Sequence, residues 1–594
     1  MPRSVARVSA SAVRNRSKVH HELSQCHQNP FAFTKVRGPY YDDLRVTSIY
    51  LWQMYPGFIY RLFTTSNGSQ VDQHRTLEAA FKYPTSATLA LAMRSPSWEY
   101  GRSAEGYGGH FDWRKLAETL KDLTLRATTY ALSHSLLYLP PAQQQPLTPA
   151  AAIHAPISLF PSPLPRRLFE LARRLQSTYN ILYARIALDV EFLDRVMGTV
   201  EGVGKVDNFV GQLWTGWKKL RDEGSGLIQP LQLGLFRSDY LMHSSETELS
   251  LKQVEFNTIS SSFGPLSQQT AALHRHLFAS TGYFNSYSSM KAEDFPTNET
   301  IAGLVSGLAA AHFAYGVKDA KILFVVQPGE RNVFDQRLLE YELLEKHSIQ
   351  VVRQTFDQLA LNASLDPATS RLLLSTGTEI STVYFRAGYT PTDYPTSAQY
   401  ETRFILEKSR AIKCPSIALQ LAGGKKVQQV LAEPGVLERF MDDADARNLL
   451  RTSWMGMWAL ESDIERTRIE SHKLVLKPQR EGGGNNVYKE AIPPFLDSLP
   501  EPERAAWIAM ELIEPPEGTG GYLVRSGVDQ AMRTEVVSEL GIFGWALYGG
   551  RDGKIEEKEA GWLVRTKGKE SNEGGVATGF SVLDSIFLVN EDVI

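Results

Sequence analysis

Midway along the chain, Leu168, Leu171, Leu175, Tyr179, Leu182 and Ile186 recur at steps of three and four residues. That spacing gathers apolar side chains on one face of an α-helix. Further on, 321–327 (KILFVVQ) is an apolar run of strand length, Asn332 stands where a helix to about residue 346 would be capped, and 349–355 returns as a second strand. Strand, helix and strand in that order predict a βαβ unit, hence a parallel sheet with helices on its faces. Strands are also predicted at 382–389, 473–477, 507–513 and 536–547. Strands and helices alternate, and no repeat of about 20–50 residues interrupts them. The fold class is therefore α/β, with room for antiparallel parts.

Composition narrows the partners. At 594 residues the chain is too long for one compact core, so two or more lobes are expected. Lys plus Arg number 63 against 66 Asp plus Glu, a formal net charge of −3, so no global basic field draws in nucleic acid or an anionic membrane. Segment 301–317 is the most membrane-like, but it falls short of the roughly 20 apolar residues a span needs. It also carries His312 and reads better as a packed helix. Two cysteines, Cys26 and Cys414, cannot build a disulfide framework and suit a reducing, cytoplasmic setting.

The N-terminus is different. Arg3, Arg7, Arg14, Arg16 and Lys18 precede the first acid, Glu22, a composition that suits a mitochondrial transit peptide. A disordered extension or a misplaced start in the gene model accounts for it better. His20, His21, Cys26 and His27 fit no zinc spacing. Residues 31–113 show no sustained periodicity, and the Pro/Gln/Ala-rich stretch 139–165 reads as a linker. The extension, 1–112, is left without a fold, and the patterned region is 113–594.

Chemistry-bearing residues concentrate in three places. Residues 474–488 read LVLKPQREGGGNNVY: a β-run delivers Lys477, a charged turn follows, then Gly482, Gly483 and Gly484. Consecutive glycines let backbone N–H groups close on an anion. Lys477 adds a point charge for phosphate, and Glu481 suits the magnesium that accompanies a nucleotide. The spacing is neither a P-loop nor a dinucleotide fingerprint, and a surface turn would look the same. Residues 253–264 (QVEFNTISSSFG) form an alternating strand that brings Glu255 and Asn257 to one face, ahead of a Ser/Thr-rich loop. Two oxygen ligands so placed suit a hard cation, although an exposed strand and turn share the pattern. Residues 561–579 (GWLVRTKGKESNEGGVATG) put Arg565 and Lys567 on one side of a strand, where cations can meet a carboxylate and a phosphate. A solvated charged hairpin is the plain alternative.

Together with ERNVFDQR (330–337), YFRAGY (384–389), KCPSIALQLAGGKKVQQ (413–429) and SELGIFG (538–544), these segments resemble the signatures of the eukaryotic glutathione synthetases. They run in that family's order from about residue 116 to the end. The resemblance implies an ATP-grasp fold with a mixed-sheet substrate lobe (321–430), ATP-grasp and lid elements (473–594) and mobile lid loops. It implies ligation of γ-glutamylcysteine to glycine through an acyl phosphate, with ATP and Mg²⁺ as cofactors and a homodimer as the assembly.

By the same resemblance, Glu255, Asn257 and Glu481 carry Mg²⁺, while Lys425 and Lys477 contact the nucleotide. Pro478, Gln479, Arg480, Glu481, Gly482, Gly483, Gly484, Asn485 and Asn486, with Tyr488, cover the phosphates. Met510, Glu511, Leu512 and Ile513 form the adenine edge, Glu539 holds the ribose, and Lys567 and Glu573 complete the nucleotide site. Arg237 meets the dipeptide carboxylate beside Ile259, Ser260, Ser261 and Ser262. Glu330, Arg331, Asn332 and Gln336 recognise the γ-glutamyl head near Arg386, Ala387, Gly388 and Tyr389. Arg565 meets the carboxylate of free glycine beneath Val576 and Ala577, where nothing points to a pocket enlarged for β-alanine. Arg237, Arg565, Lys477 and Glu255 form the implied catalytic set. The chain departs from the family pattern at Leu512, usually Lys, and at Ala387, Asp in many relatives. Two rivals remain: another ATP-grasp carboxylate-amine ligase, and a nucleotide-binding homologue without catalysis. The substrate-side motifs argue against the first, and the retention of Glu255, Asn257, Glu481, Lys477 and Lys567 against the second.

Overall fold

The computed structural model describes residues 113–590, apart from 142–147, 225, 246–247, 286–289, 482–483, 517–519, 572–573 and 577–578. The expectations for the N-terminal extension, and for Gly482, Gly483, Glu573 and Ala577, lie outside the described residues. After a first helix, α1 (Trp113–Ser133), the periodic leucine stretch forms helix α2 (Arg166–Leu188). Leu168, Leu175, Tyr179, Leu182 and Ile186 are all buried on its inner face. Helix α3 (Asn208–Asp222) follows, and then two antiparallel strands, β1 (Gln232–Ser244) and β2 (Leu249–Asn257).

Helices α4 (Gly264–Thr281) and α5 (Thr300–Tyr315) lead into the expected βαβ unit. Strand β3 (Lys321–Val325), helix α6 (Val333–His347) and strand β4 (Val351–Gln354) pair in parallel, with Ile322 opposite Val351. The parallel part continues through β5 (Glu379–Phe385) and β6 (Ile412–Cys414) to the start of β1. Helix α7 (Lys425–Leu431) comes next, before strands β7 (Leu474–Pro478) and β8 (Trp507–Glu511). Strands β9 (Gly520–Val524), β10 (Ala531–Tyr548), β11 (Glu556–Gly568) and β12 (Ser581–Asp584) add antiparallel partners beyond β1. All but β7 and β8 belong to one 13-stranded mixed sheet.

Both faces of that sheet are covered, which explains the near-continuous apolar run GIFGWALY at 541–548. Alternate residues enter different cores. Ile542 and Ala546 join Phe236, Tyr240 and the buried face of α2, whereas Phe543, Trp545 and Leu547 join Leu235 and residues of α4 and α5. Helix α5 occupies the 301–317 region as a packed helix, and no described helix is long and apolar enough to cross a membrane.

The stretch 139–165 is more than a linker. Ile157–Ser158 pairs with β9 and β12, and Ser162–Pro165 runs parallel to Ile586–Val589. Ile157, Leu159 and Leu164 are buried. Strands this short carry no readable periodicity, so Pro, Gln and Ala dominated the reading. A separate four-stranded sheet holds Met457–Ala459, β8, β7 and Val487–Tyr488 in that order, over a small core of its own around Trp458, Leu474, Leu476 and Leu496. The glycine-rich turn connects β7 to Val487–Tyr488 within this sheet.

Candidate functional site

Register builds the floor of the site. Across β1 and β2, Arg237 faces Asn257 and Asp239 faces Glu255. On the other edge of β1, Gly541 lies opposite Asp239, and across β10 and β11 Glu539 lies opposite Arg565. Directly paired residues share a face of a sheet, so these carboxylates and cations converge. Lys567, two residues beyond Arg565, lies on the same face of β11.

Glu255, from the large sheet, and Glu481, from the turn after β7, meet at one ammonium. Lys425 Nζ, in the first turn of α7, is 3.0 Å from Glu255 Oε2 and 3.0 Å from Glu481 Oε1. Lys477 Nζ donates to Val254 O at 2.8 Å, beside the same strand. The charges act on one another. Burial pushes the Glu255 carboxyl up, but Lys425, Lys477 and Arg565 outweigh it and hold it at about 2. For Glu481 burial wins, and its carboxyl rises despite Lys425. Burial presses the Lys477 ammonium down to about 8, against the pull of Glu255. At Lys425 burial also opposes the charge, but the two carboxylates raise its affinity for the proton. The AGGKK segment reaches this point because residue 423 is glycine: a Cβ there would stand 2.3 Å from Thr258 Oγ1.

A second cluster lies alongside. Arg237 binds Asp239 through two bonds, Nε to Oδ1 at 2.6 Å and Nη2 to Oδ2 at 2.8 Å. Arg565 donates to Asp239 Oδ2 at 3.1 Å and to Glu539 Oε1, and Asn257 Nδ2 donates to Asp239 Oδ2 at 3.0 Å. Arg237 and Arg565, expected on substrate carboxylates, and Glu539, expected on ribose, are thus paired with protein groups. Burial raises the Glu539 carboxyl, with Arg565 opposing.

The third cluster joins the serine loop to the ERN and YFRAGY segments. Arg386 donates to Ser261 O at 3.0 Å and to Ser262 Oγ at 2.6 Å, and Ser260 Oγ donates to Phe385 O at 3.1 Å. Ile259, at the head of the loop, is buried. Glu330 accepts from the Asn332 N–H at 2.7 Å and from Gln336 Nε2 at 3.1 Å. Among the described residues, two buried atoms of this cluster have no partner, Asn332 Oδ1 and Arg386 Nε, an acceptor and a cationic donor. Asn332 does not cap α6 with its side chain. Ala387 is buried, and the Gly388 and Tyr389 N–H groups both donate to Asp393 Oδ2. Arg331 turns away, its Nε donating to Leu139 O and its guanidinium lying 4.8 Å from the Tyr138 ring.

Around the glycine-rich turn, Gln479 Oε1 accepts from Lys426 N at 3.0 Å, Arg480 pairs with Asp207, and Asn486 Nδ2 donates to Tyr488 Oη at 3.1 Å. Pro478 ends β7, and Gly484 and Asn485 are exposed. Met510 and Glu511 close β8, and the N–H groups of Glu511 and Leu512 are taken by Gly456 O and Lys473 O, with Ile513 next along the chain. Val576 is buried at the Gly-Gly loop.

Sequence reasoning missed the acids that organise this region: Asp239, Asp207, Asp393 and Asp335, which accepts the Phe263 and Leu266 N–H groups. Asp239 lies within RSDY, two residues from Arg237 on one strand face, and that spacing was the available signal. Among the described residues no three of His, Cys, Asp or Glu gather as a ready metal cage. Glu255, Glu481 and the amide of Asn257 nevertheless present the hard oxygen set that Mg²⁺ takes, one or two carboxylates completed by phosphates and water.

A mixed sheet, a smaller sheet carrying a glycine-rich turn and a cluster of carboxylates and cations between them define an ATP-grasp, ATP-dependent ligase. The profile of the eukaryotic glutathione synthase ATP-binding domain matches residues 117–588. A glutathione synthetase of Dictyostelium discoideum is 36% identical over 488 residues, 80% of this chain and 100% of that one. One from Bos taurus is 39% identical over 483 residues, 80% of this chain and 98% of that one. The apo structure of a glutathione synthetase-like effector from Globodera pallida aligns with a TM-score of 0.62 at 24% identity, covering 81% of this chain and 98% of that one, and shares the fold. The chain belongs to the eukaryotic glutathione synthetases and is an ATP-using ligase of glutathione biosynthesis.

Proposed function

We propose that the three clusters divide the reaction of γ-glutamylcysteine, free glycine and Mg-ATP among them. The observation that carries this reading is the meeting of Glu255 and Glu481 at the single ammonium of Lys425. Glu255, Asn257 and Glu481 hold Mg²⁺, which when bound offsets phosphate charge. Lys425, Lys477 and Lys567 bind phosphate oxygens, the turn from Pro478 to Asn486 with Tyr488 covers them, and Met510–Ile513 reads adenine through its main chain. Glu539 and Glu573 serve the ribose side. The unpartnered Asn332 Oδ1 and Arg386 Nε suit the ammonium and carboxylate of the γ-glutamyl head. Glu330, Gln336, Tyr389 and Ser260–Ser262 line the same pocket. Residues 321–430 thus form the substrate lobe and 473–594 the nucleotide side.

Arg237 orients the cysteinyl carboxylate, one oxygen of which attacks Pγ while the bond to the β-phosphate oxygen breaks and ADP leaves. Arg565 holds glycine's carboxylate so that its amine attacks the acyl carbon beneath Val576 and Ala577. The acyl C–O bond then breaks, phosphate leaves with that oxygen, and the amine proton is lost. Fixing the reactants this way supplies up to about 7–11 kcal/mol in favourable cases. A dipeptide labelled with ¹⁸O in its cysteinyl carboxylate tests the route. One label should appear in phosphate, and unlabelled phosphate would overturn it. The reading extends to a homodimer, as the family resemblance implies, and to a cytoplasmic setting, which the two cysteines suit. Sedimentation at twice the 66.4 kDa chain mass checks the first part and cell fractionation the second.

A further inference from the structure

We infer that Asp239 is a positioning residue that sets the distance and orientation between the two substrate-facing arginines, Arg237 and Arg565. The inference rests on the reading that these arginines bind the dipeptide and glycine carboxylates. Asp239 is fully buried, and its two oxygens receive four N–H donors. Arg237 supplies two, Arg565 Nη2 one, and Asn257 Nδ2 one. Oδ2 takes three of these donors and Oδ1 one, and no part of the residue is exposed. Asp239 thus contacts protein donors rather than the open site, and its influence passes through the arginines.

The arrangement is specific in two ways. Arg237 is held as a fork, which fixes the plane of its guanidinium, and its remaining Nη1 points to Ser262 O at 3.3 Å on the dipeptide side. Arg565 is held by one nitrogen, and its Nε goes to Glu539 at 3.0 Å. Two like charges are thus kept together by the acid between them, each with a nitrogen directed elsewhere. The floor beneath is glycine for a packing reason. A Cβ at Gly541 would stand 2.8 Å from Asp239 Oδ1 and 2.9 Å from Arg237 Cδ. Four strands therefore meet on this carboxylate: β1 with Arg237 and Asp239, β2 with Asn257, β10 with Gly541 and β11 with Arg565. Without the acid the guanidiniums would repel each other, and Arg565 would turn to Glu539 alone.

The test is a split among Michaelis constants. In Asp239→Asn the amide oxygen still accepts one bond, but its NH₂ opposes the remaining donors. The KM values for γ-glutamylcysteine and for glycine should both rise by about tenfold or more, as expected for truncating a buried charged partner, while the KM for ATP, reached only through Asn257 and Glu539, rises several-fold less. Gly541→Ala keeps every charge and only crowds the pair, so it should give the same split in weaker form even where Asp239→Asn folds poorly. Either both amino-acid KM values unchanged in these variants, or all three KM values moving together, would overturn the positioning role. Arg237→Ala and Arg565→Ala separate the two levels of the argument. If they raise the dipeptide and glycine KM respectively while Asp239→Asn and Gly541→Ala do nothing, the arginine assignment stands and the role of Asp239 falls. If neither moves its own substrate, the assignment falls and takes the inference with it.

Discussion

Lys425 serves two carboxylates at once, and that sharing makes single substitutions informative. Glu481→Ala leaves the ammonium with Glu255 alone and removes one of the proposed oxygen ligands, but no core volume. It should lower kcat by about 10²–10³, the usual cost of losing one preorganised electrostatic partner, with a melting temperature close to that of the parent. Steady-state kinetics and a thermal melt check this, and an unchanged kcat would refute the metal assignment. A second residue-scale test concerns Asp584, at the end of β12 opposite Val564 and so on the other face of the sheet from Arg565. Its Oδ2 accepts from Ser162 Oγ at 2.8 Å and Thr566 Oγ1 at 2.6 Å, near His274. Burial, partly offset by those hydroxyls, raises its carboxyl to about 7, while burial lowers His274 to about 4 and keeps it neutral near pH 7. A carboxyl raised above its ordinary value of 3.8 contributes stability that is full below that value and is lost as pH rises through about 7. His274, lowered from 6.5 to about 4, contributes the opposite slope. The test is therefore a difference: between about pH 4 and pH 7 the parent's melting temperature should fall relative to that of Asp584→Asn. Parallel slopes in the two proteins would contradict it.

At the scale of elements, the glycine-rich turn is tied to α3. Asp207 accepts the Val210 N–H at 3.1 Å as the N-cap of that helix and also pairs with Arg480. The two roles separate by substitution. Asp207→Asn keeps a good cap but loses the charge, so stability should hold while the KM for ATP rises several-fold. Asp207→Ala should add a loss of about 1 kcal/mol for the cap. Equal ATP binding in parent and Asp207→Asn would show that the tether does not hold the turn. Such tethers explain what could be read in advance. Helix α2 and the βαβ unit declared themselves because burial of one face imposes a period that local sequence preserves. Glu255 with Asn257, and Lys477 with Glu481, were visible because short spacing on a strand or turn fixes their relative direction. Asp207 was not, since its partner Arg480 is 273 residues away. For Asp239 the spacing to Arg237 was readable, but its link to Arg565, 326 residues away, was not. Leu159 and Leu164 escaped for a different reason. Each lies within two residues of a proline, in a segment too short to show a period.

Across the whole molecule, the large sheet carries Arg237, Asp239, Glu255, Asn257, Glu539, Arg565 and Lys567, while the smaller sheet and its turn bring Lys477 and Glu481 to them. A phosphorylated donor and an attacking amine need both sets at once, and neither sheet alone supplies the charges. Activity should accordingly depend on every substrate together, since the dipeptide's carboxylate, glycine's amine and ATP's phosphate meet in one place. The most direct test is ADP and glutathione formation by the purified full chain with Mg-ATP, γ-glutamylcysteine and glycine. ADP and glutathione should form in equal amounts, and omission of either amino-acid substrate should abolish glutathione. Failure to make glutathione with all three present, or ADP release at the same rate without the dipeptide, would contradict the account.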